Sequence, residues 1–224
     1  MHEDFRENIH RGSLNRLMLS LLPESLNVLV IGAGRAAFIK ANTFLKSGSK
    51  VVVVGKDISE DFYKVKDENL KIIKDEYNKT YLKGKHIIII AIDNEYVMYN
   101  IIEDCKSEDK IYINCNDTTK SMGMIPMNIN SNEIIIGINT LRGNPKGARF
   151  VSNKILNEAK NLDEFIKVTS IIRNNLKNID CNKNEILDFI ISDDFKLAVD
   201  KGKEKILLNL FYDNDLVDKL FYIR

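Results

Sequence analysis

Apolar residues along this chain follow two different patterns. From Leu26 to Asn114 they come as short continuous runs, and beyond Pro145 they recur every three or four positions. Short runs rich in β-branched residues and bounded by turn residues are strands buried on both faces. The runs are Leu26–Ile31, which meets Gly32, then Val51–Val54, a weaker one at Leu70–Ile73, His86–Ala91 and Lys110–Asn114. Between them, residues 35–47 place Ala36, Ala37, Ile39, Phe44 and Leu45 at helical spacing and stop at Gly48, and residues 95–106 read as a second helix. Strands alternating with helices at this spacing predict a parallel sheet covered on both faces, with right-handed crossovers. The expected fold is therefore α/β, a Rossmann-like doubly wound parallel sheet.

After Asp117 the pattern changes. Residues 118–123 read as a loop, and Ile125–Asn130 and Glu133–Asn139 flank Ser131-Asn132, a two-residue connection that predicts a hairpin. Past Asn144-Pro145, Ile155, Leu162, Phe165, Ile166, Ile171, Ile172 and Leu176 suit amphipathic helices, as do Ile186, Leu187, Phe189 and Ile190. Residues 1–13 are polar and read as an arm or a frayed helix. The expected organisation is an arm at 1–25, a nucleotide-type α/β domain at 26–117, a small β region at 118–156 and a helical C-terminal domain at 157–224.

Composition narrows the function. Lys and Arg number 33 against 32 Asp and Glu in 224 residues, a net charge of +1, which argues against a general nucleic-acid binder. The longest apolar run, Ile87–Ile92, is far shorter than a membrane span, and Pro23 and Glu24 interrupt any secretory core, so a cytoplasmic protein with no membrane partner is expected. Cys105, Cys115 and Cys181 are odd in number and form no CxxC pair, so free thiols are expected. His2, His10 and His86 make no ligand-spaced cluster, and no metal site is expected; His86 reads as a satisfied histidine at the start of a buried strand.

The chemistry begins at Gly32-Ala33-Gly34-Arg35-Ala36-Ala37, a G-x-G-x-x-A turn between the first strand and the first helix. Gly32 permits the tight turn, Gly34 lets the backbone approach a pyrophosphate, and Ala37 lets helix and strand pack closely. The helix start then favours phosphate charge. The second strand ends Gly55-Lys56-Asp57. Asp57 comes two residues later than a ribose-binding acid normally would, and Lys56 suits a 2′-phosphate equally well, so Asp57 stands between ribose ligand and plain loop acid.

From about Leu17 to Leu156 the chain resembles the precorrin-2 dehydrogenases of sirohaem and cobalamin synthesis, some of which also carry sirohydrochlorin ferrochelatase activity. Four pieces occur in order: Val28–Gly34 with Ala37, Lys40 and Ala41; Gly84-Lys85-His86 into Ile87–Ala91 and Asp93; Asn114-Cys115-Asn116-Asp117; and Pro126, Ile136–Thr140, Asn144-Pro145 and Ala148-Arg149. The chain departs from the family pattern at Ile39, Ile92, Met98, Asn139 and Asn144. The resemblance implies NAD-dependent oxidation of precorrin-2, a polycarboxylate tetrapyrrole, to sirohydrochlorin, in a homodimer built through the β insert and the helix after it. It implies Ala91 and Asp93 beside the cofactor, Asn114 and Asn116 beside the substrate, and Asp117 as the general base or, in members that chelate, the group that steers or ligates the metal; whether this chain chelates is left open. The plain alternative for Asp117 is an Asx turn leaving the strand, helped by Thr118 and Thr119. Arg142, Lys146 and Arg149 are candidates for the substrate carboxylates, with solvated surface charge as their alternative.

Two other readings use the same turn. One is an unrelated NAD(P)-dependent oxidoreductase. The other is a nucleotide-sensing regulatory domain, which would need no base beside the ring; Gly55 at the end of the second strand, where such a module carries an acid, counts against it.

Overall fold

A computed structural model of the chain describes residues 16–222, so the arm expected at 1–13 lies outside the described residues. The chain forms two compact units, 17–125, and 126–222 with Arg16.

The first unit is a five-stranded parallel sheet, with β1 Asn27–Ile31, β2 Lys50–Gly55, β3 Leu70–Lys74, β4 Ile87–Ile90 and β5 Ile111–Asn114. Their order is β3-β2-β1-β4-β5. Helix α1, Arg35–Lys46, joins β1 to β2; the one-turn α2, Glu60–Tyr63, lies between β2 and β3; and α3, Glu95–Ser107, joins β4 to β5. Successive side chains of a strand point to opposite faces, so the strands feed two cores. Val28, Val30, Val51, Val53, Ile87 and Ile89 pack with Ala37, Ala41 and Leu45 of α1. Leu29, Ile31, Val54, Ile88 and Ile90 pack with Met98, Ile101, Ile102 and Cys105 of α3. This two-sided burial is why the strands read as unbroken apolar runs rather than alternating ones.

The chain builds outward from β1 to β3 and then crosses back to β4 on the other side of β1. Helices therefore leave the carboxyl ends of β1 and β4 toward opposite faces, and a crevice opens between those ends. The register Ile31, Ile90, Asn114 aligns the three carboxyl ends across β1, β4 and β5. His86 lies just outside β4 and is exposed, not buried; its Nδ1 accepts the Asn27 amide at 3.0 Å and its own amide donates to the Asn27 carbonyl at 2.9 Å. The strand buries only its isoleucines because His86 sits at the amino edge of the sheet. Cys105 is buried and its thiol is pushed up to about 12 by desolvation; Cys115 and Cys181 are partly buried, and all three are free.

In the second unit, β6 Met127–Asn130 and β7 Ile135–Ile138 pair antiparallel. The connection is four residues, 131–134, instead of the expected two. The cause lies on α4, Pro145–Leu176. One Asp163 carboxylate accepts the Ser131 hydroxyl at 2.6 Å and the amides of Asn132 and Glu133 at 3.1 Å each, which satisfies the donors of a wider loop. These contacts hold the Asp163 carboxyl below the usual carboxylate range, led by the Ser131 hydroxyl. Asp163→Ala is expected to speed amide exchange at Asn132 and Glu133 and to lower the melting temperature. Unchanged protection there would show that the loop closes without this carboxylate.

Helix α4 is a single helix of 32 residues and runs without a break across positions 156 and 157. Its start is fixed by Asn144, whose side chain accepts the Gly147 amide at 2.9 Å, with Pro145 at the first helical position. Its C-terminal half packs with α5 Lys183–Ile190, α6 Asp193–Asp200, α7 Glu204–Leu208 and α8 Asn214–Leu220 around Ile172, Leu176, Ile186, Ile190, Phe195 and Leu220. Among the described residues no helix is long and apolar enough to cross a membrane.

Candidate functional site

The glycine turn occupies the crevice edge. Gly32 has φ +99°, and a Cβ built there would lie 2.1 Å from the Ala91 carbonyl oxygen. Only glycine fits, because β1 and β4 come together directly beneath the turn. The Gly32 amide donates to Val54 O at 2.8 Å, so the turn leaves the sheet only after one more ladder bond. Gly34 differs. It is the N-cap of α1 with φ −80°, no side chain caps it, no acid lies in the first turn, and a Cβ would meet nothing within 4 Å. The first amides of a helix have no intrahelical partners. Here they face open space at a positive helix end, with Arg35 exposed beside them. Ala33 and Ala37 are buried and pull the helix down onto the sheet, while Ala36 is exposed on the first turn. That arrangement fits a dinucleotide pyrophosphate.

The neighbouring strand end explains the missing acid. A Cβ at Gly55 would fall 2.9 Å from Ala33 Cβ and 3.1 Å from Ala33 N. The turn packs so closely on β2 that no side chain fits at its last residue. Lys56 follows, exposed, with its ammonium 2.8 Å from Glu76 Oε1, and Asp57 is exposed next to it. Glu76 did not figure among the residues singled out by sequence; its only signal was its position just past the third apolar run.

The carboxyl ends of β4 and β5 are tied together. Asn116 Nδ2 donates to Ile92 O at 2.9 Å and to Asp93 Oδ1 at 3.4 Å. Asn114, expected beside the substrate, lies sealed under this tie. Asn114 is 1% exposed; its side-chain amide donates to Met98 Sδ at 3.0 Å, and its Oδ1 accepts the Asn116 N–H at 3.0 Å. Met98, where the family usually has asparagine, thus supplies the acceptor through sulfur. Asp117 is both an Asx cap and a surface carboxylate. It caps a 3-10 turn at Thr118–Lys120, accepting the Thr119 hydroxyl at 2.6 Å and amide at 2.9 Å, with Lys120 Nζ at 3.7 Å. These hold its carboxyl below the usual range, the Thr119 hydroxyl contributing most.

The turn, Ala91–Asp93 and Asn116–Asp117 therefore leave three adjacent strands, β1, β4 and β5, on one edge. Two strand spacings separate the outer two, about 10 Å. Arg142, Lys146 and Arg149 belong to the second unit and are exposed; Lys146 and Arg149 lie three apart on the first turns of α4, on one face. Among the described residues no group of three or more His, Cys, Asp or Glu side chains converges as for a metal ion.

Residues 19–126 match the family described as "Putative NAD(P)-binding", nearly the whole first unit. The sirohaem synthase of Psychrobacter sp. strain PRwf-1 is 30% identical over 130 residues, 57% of this chain and 26% of that protein. A "Putative precorrin-2 dehydrogenase" of Methanocaldococcus jannaschii is 25% identical over 209 residues, 88% of this chain and 90% of that one. These similarities are to proteins named as sirohaem synthases and precorrin-2 dehydrogenases. The solved structure of SirC, a precorrin-2 dehydrogenase, shares the fold with a TM-score of 0.65 at 17% identity, over 87% of this chain and 98% of that one. The chain spans about a quarter of the length of the sirohaem synthases it matches, 26% in the Psychrobacter PRwf-1 protein and 28% in that of Saccharophagus degradans. The four motif pieces resemble the family named in these similarities, and the segment matched at 19–126 is of a type described as NAD(P)-binding.

Proposed function

We propose that the chain oxidises precorrin-2 to sirohydrochlorin with NAD+, acting as a homodimer in the cytoplasm. The observation that carries the reading is the uncapped, acid-free start of α1 on the same sheet edge as a carboxylate at the end of β5. The oxidation removes two electrons and two protons from the macrocycle, one hydride and one proton. When bound, the nicotinamide supplies the acceptor for the hydride.

Everything else falls to the protein. The amides at the head of α1, with Gly34 leaving them open, hold the pyrophosphate. Ala91 and Asp93 flank the crevice, and Asn116 fixes the β4 loop against the β5 loop so that Asp117 keeps its place. Asp117 Oδ2 takes the proton, its other oxygen remaining on Thr119. The Thr119 contacts keep this carboxylate ionised throughout the neutral range, the form that accepts a proton, while they lower its proton affinity. Arg142, Lys146 and Arg149 are the candidate partners for substrate carboxylates. The hairpin and the start of α4, with Ile135, Leu141 and Phe150 exposed, suit the dimer contact.

The test is anaerobic incubation with precorrin-2 and NAD+, following nicotinamide absorbance together with the macrocycle spectrum. NADH should form in step with sirohydrochlorin. Tight NAD+ binding without turnover would instead favour a nucleotide-sensing role.

A further inference from the structure

We infer that Glu76, at the end of β3, is the carboxylate that receives the adenosine ribose and selects NAD over NADP. The inference rests on the dinucleotide reading of the glycine turn and adds the residue that chooses between the two cofactors.

In a sheet of this order the adenosine half of a dinucleotide lies over the carboxyl ends of β1 and β2, and an acid at the end of β2 ordinarily takes the ribose hydroxyls. Here that position is closed to any side chain. Gly55 packs on Ala33 so tightly that a methyl group in its place would sit 2.9 Å from Ala33 Cβ, so the acid has to come from elsewhere. The next strand supplies it. Gly55 pairs with Lys74 in register, and the Asp75 amide donates to the Gly55 carbonyl at 3.1 Å, so the chain leaving β3 stays against the end of β2. Glu76 follows immediately. Its own amide donates to Asp75 Oδ1 at 2.8 Å, and the other Asp75 oxygen accepts the Tyr81 hydroxyl at 2.6 Å, which pins the turn. The Glu76 carboxylate then reaches Lys56 at 2.8 Å.

This pairing changes what Lys56 can do. Alone, its ammonium would welcome a 2′-phosphate. Held by Glu76 and flanked by Asp57, it serves to steady a carboxylate. Three acids, Asp57, Asp75 and Glu76, accompany this lysine at the adjoining ends of β2 and β3, with Lys74 closing the latter strand. A ribose hydroxyl can donate to Glu76 there, whereas a dianionic phosphate meets like charge. An exposed ion pair of this kind adds little to stability, so its removal leaves the fold in place.

The experiment is calorimetric titration of the full chain with NAD+ and with NADP+, for the parent and for Glu76→Gln and Asp57→Asn. The parent should favour NAD+ by at least about tenfold, the penalty of a like-charge clash. Glu76→Gln should weaken NAD+ and tighten NADP+, shrinking the ratio by about tenfold, while Asp57→Asn moves it less. Equal melting temperatures without ligand show that the variants are folded. A parent that binds both dinucleotides with a ratio Glu76→Gln leaves unchanged overturns the assignment while sparing the turn. Control by Asp57 alone overturns it as well. If neither dinucleotide binds the parent, the dinucleotide reading itself fails, and the selectivity with it.

Discussion

Gly34→Asp is expected to abolish dinucleotide binding in a protein that stays fully folded. The backbone at Gly34 is φ −80°, a conformation any residue adopts, and a Cβ there meets nothing within 4 Å. Aspartate is also a good N-cap, so its carboxylate would accept the same early amides that a pyrophosphate needs, and α1 would lose no stability. Charge and occupied donors then act together against the ligand. A like-charge contact costs several kcal/mol, so affinity should fall by at least about 100-fold. Gly32→Ala makes the complementary case. At φ +99° with the Ala91 oxygen 2.1 Å away, the methyl has no room and the backbone no allowance. Strain of about 1–3 kcal/mol and overpacking of a similar size add up. That is a large part of the about 5–15 kcal/mol holding an ordinary domain together. Urea melts of the two variants beside NAD+ titrations separate these roles. An unaltered NAD+ affinity in Gly34→Asp would remove the glycine turn from the mechanism.

Asp117→Ala should cut turnover by about 10²–10⁴-fold, the range for lost acid–base assistance, with NAD+ affinity retained. The binding readout matters, because the same side chain caps the turn at Thr118–Lys120 and a merely structural loss would disturb the neighbouring crevice too. The pH dependence gives a second check. The Thr119 hydroxyl and amide lower the Asp117 carboxyl from its ordinary 3.8, so the base form persists to lower pH than in a free aspartate. Activity should not change through the neutral range on account of this group, and should fall only as pH drops through the lowered value. The linkage to stability has the same sign. The folded value lies below the unfolded one, so the cap's contribution is complete above the unfolded value and disappears as pH falls through the folded one. Thr119→Val should shift the carboxyl back up toward 3.8, which a carbon-detected NMR titration would read directly. A titration at the ordinary position in the parent protein would show that the Thr119 contacts do not hold in solution.

The sheet was legible because its central strands are buried on both sides. Ile87–Ile90 cannot be a surface segment, and four β-branched residues in a row suit a strand far better than a helix turn. The turn was legible because Gly32, Gly34 and Ala37 answer three separate steric needs at fixed spacing. Asn114 was legible only as a motif. Its motif position suggested a substrate contact, while its burial against Met98 and Asn116 makes it the peg on which the loop hangs. The hairpin failed differently. Its loop length depends on Asp163, about thirty residues away, and a local turn rule such as the two-residue preference knows nothing of a distant acceptor. Glu76 escaped notice for a similar reason, since its relation to Lys56 exists only across two paired strands.

By itself the sequence determined the alternation of strand and helix, the two-sided core and a glycine turn shaped for phosphate, because each follows from side chains and backbone within a few positions. The tertiary structure alone decided which acid pairs with Lys56, which oxygen satisfies the hairpin and which asparagine is sealed inside. Those outcomes depend on the order β3-β2-β1-β4-β5 and on the packing of α4, which bring together groups that are far apart along the chain. Hydrogen bonds and charges act over a few ångströms of space, and sequence distance does not measure that separation.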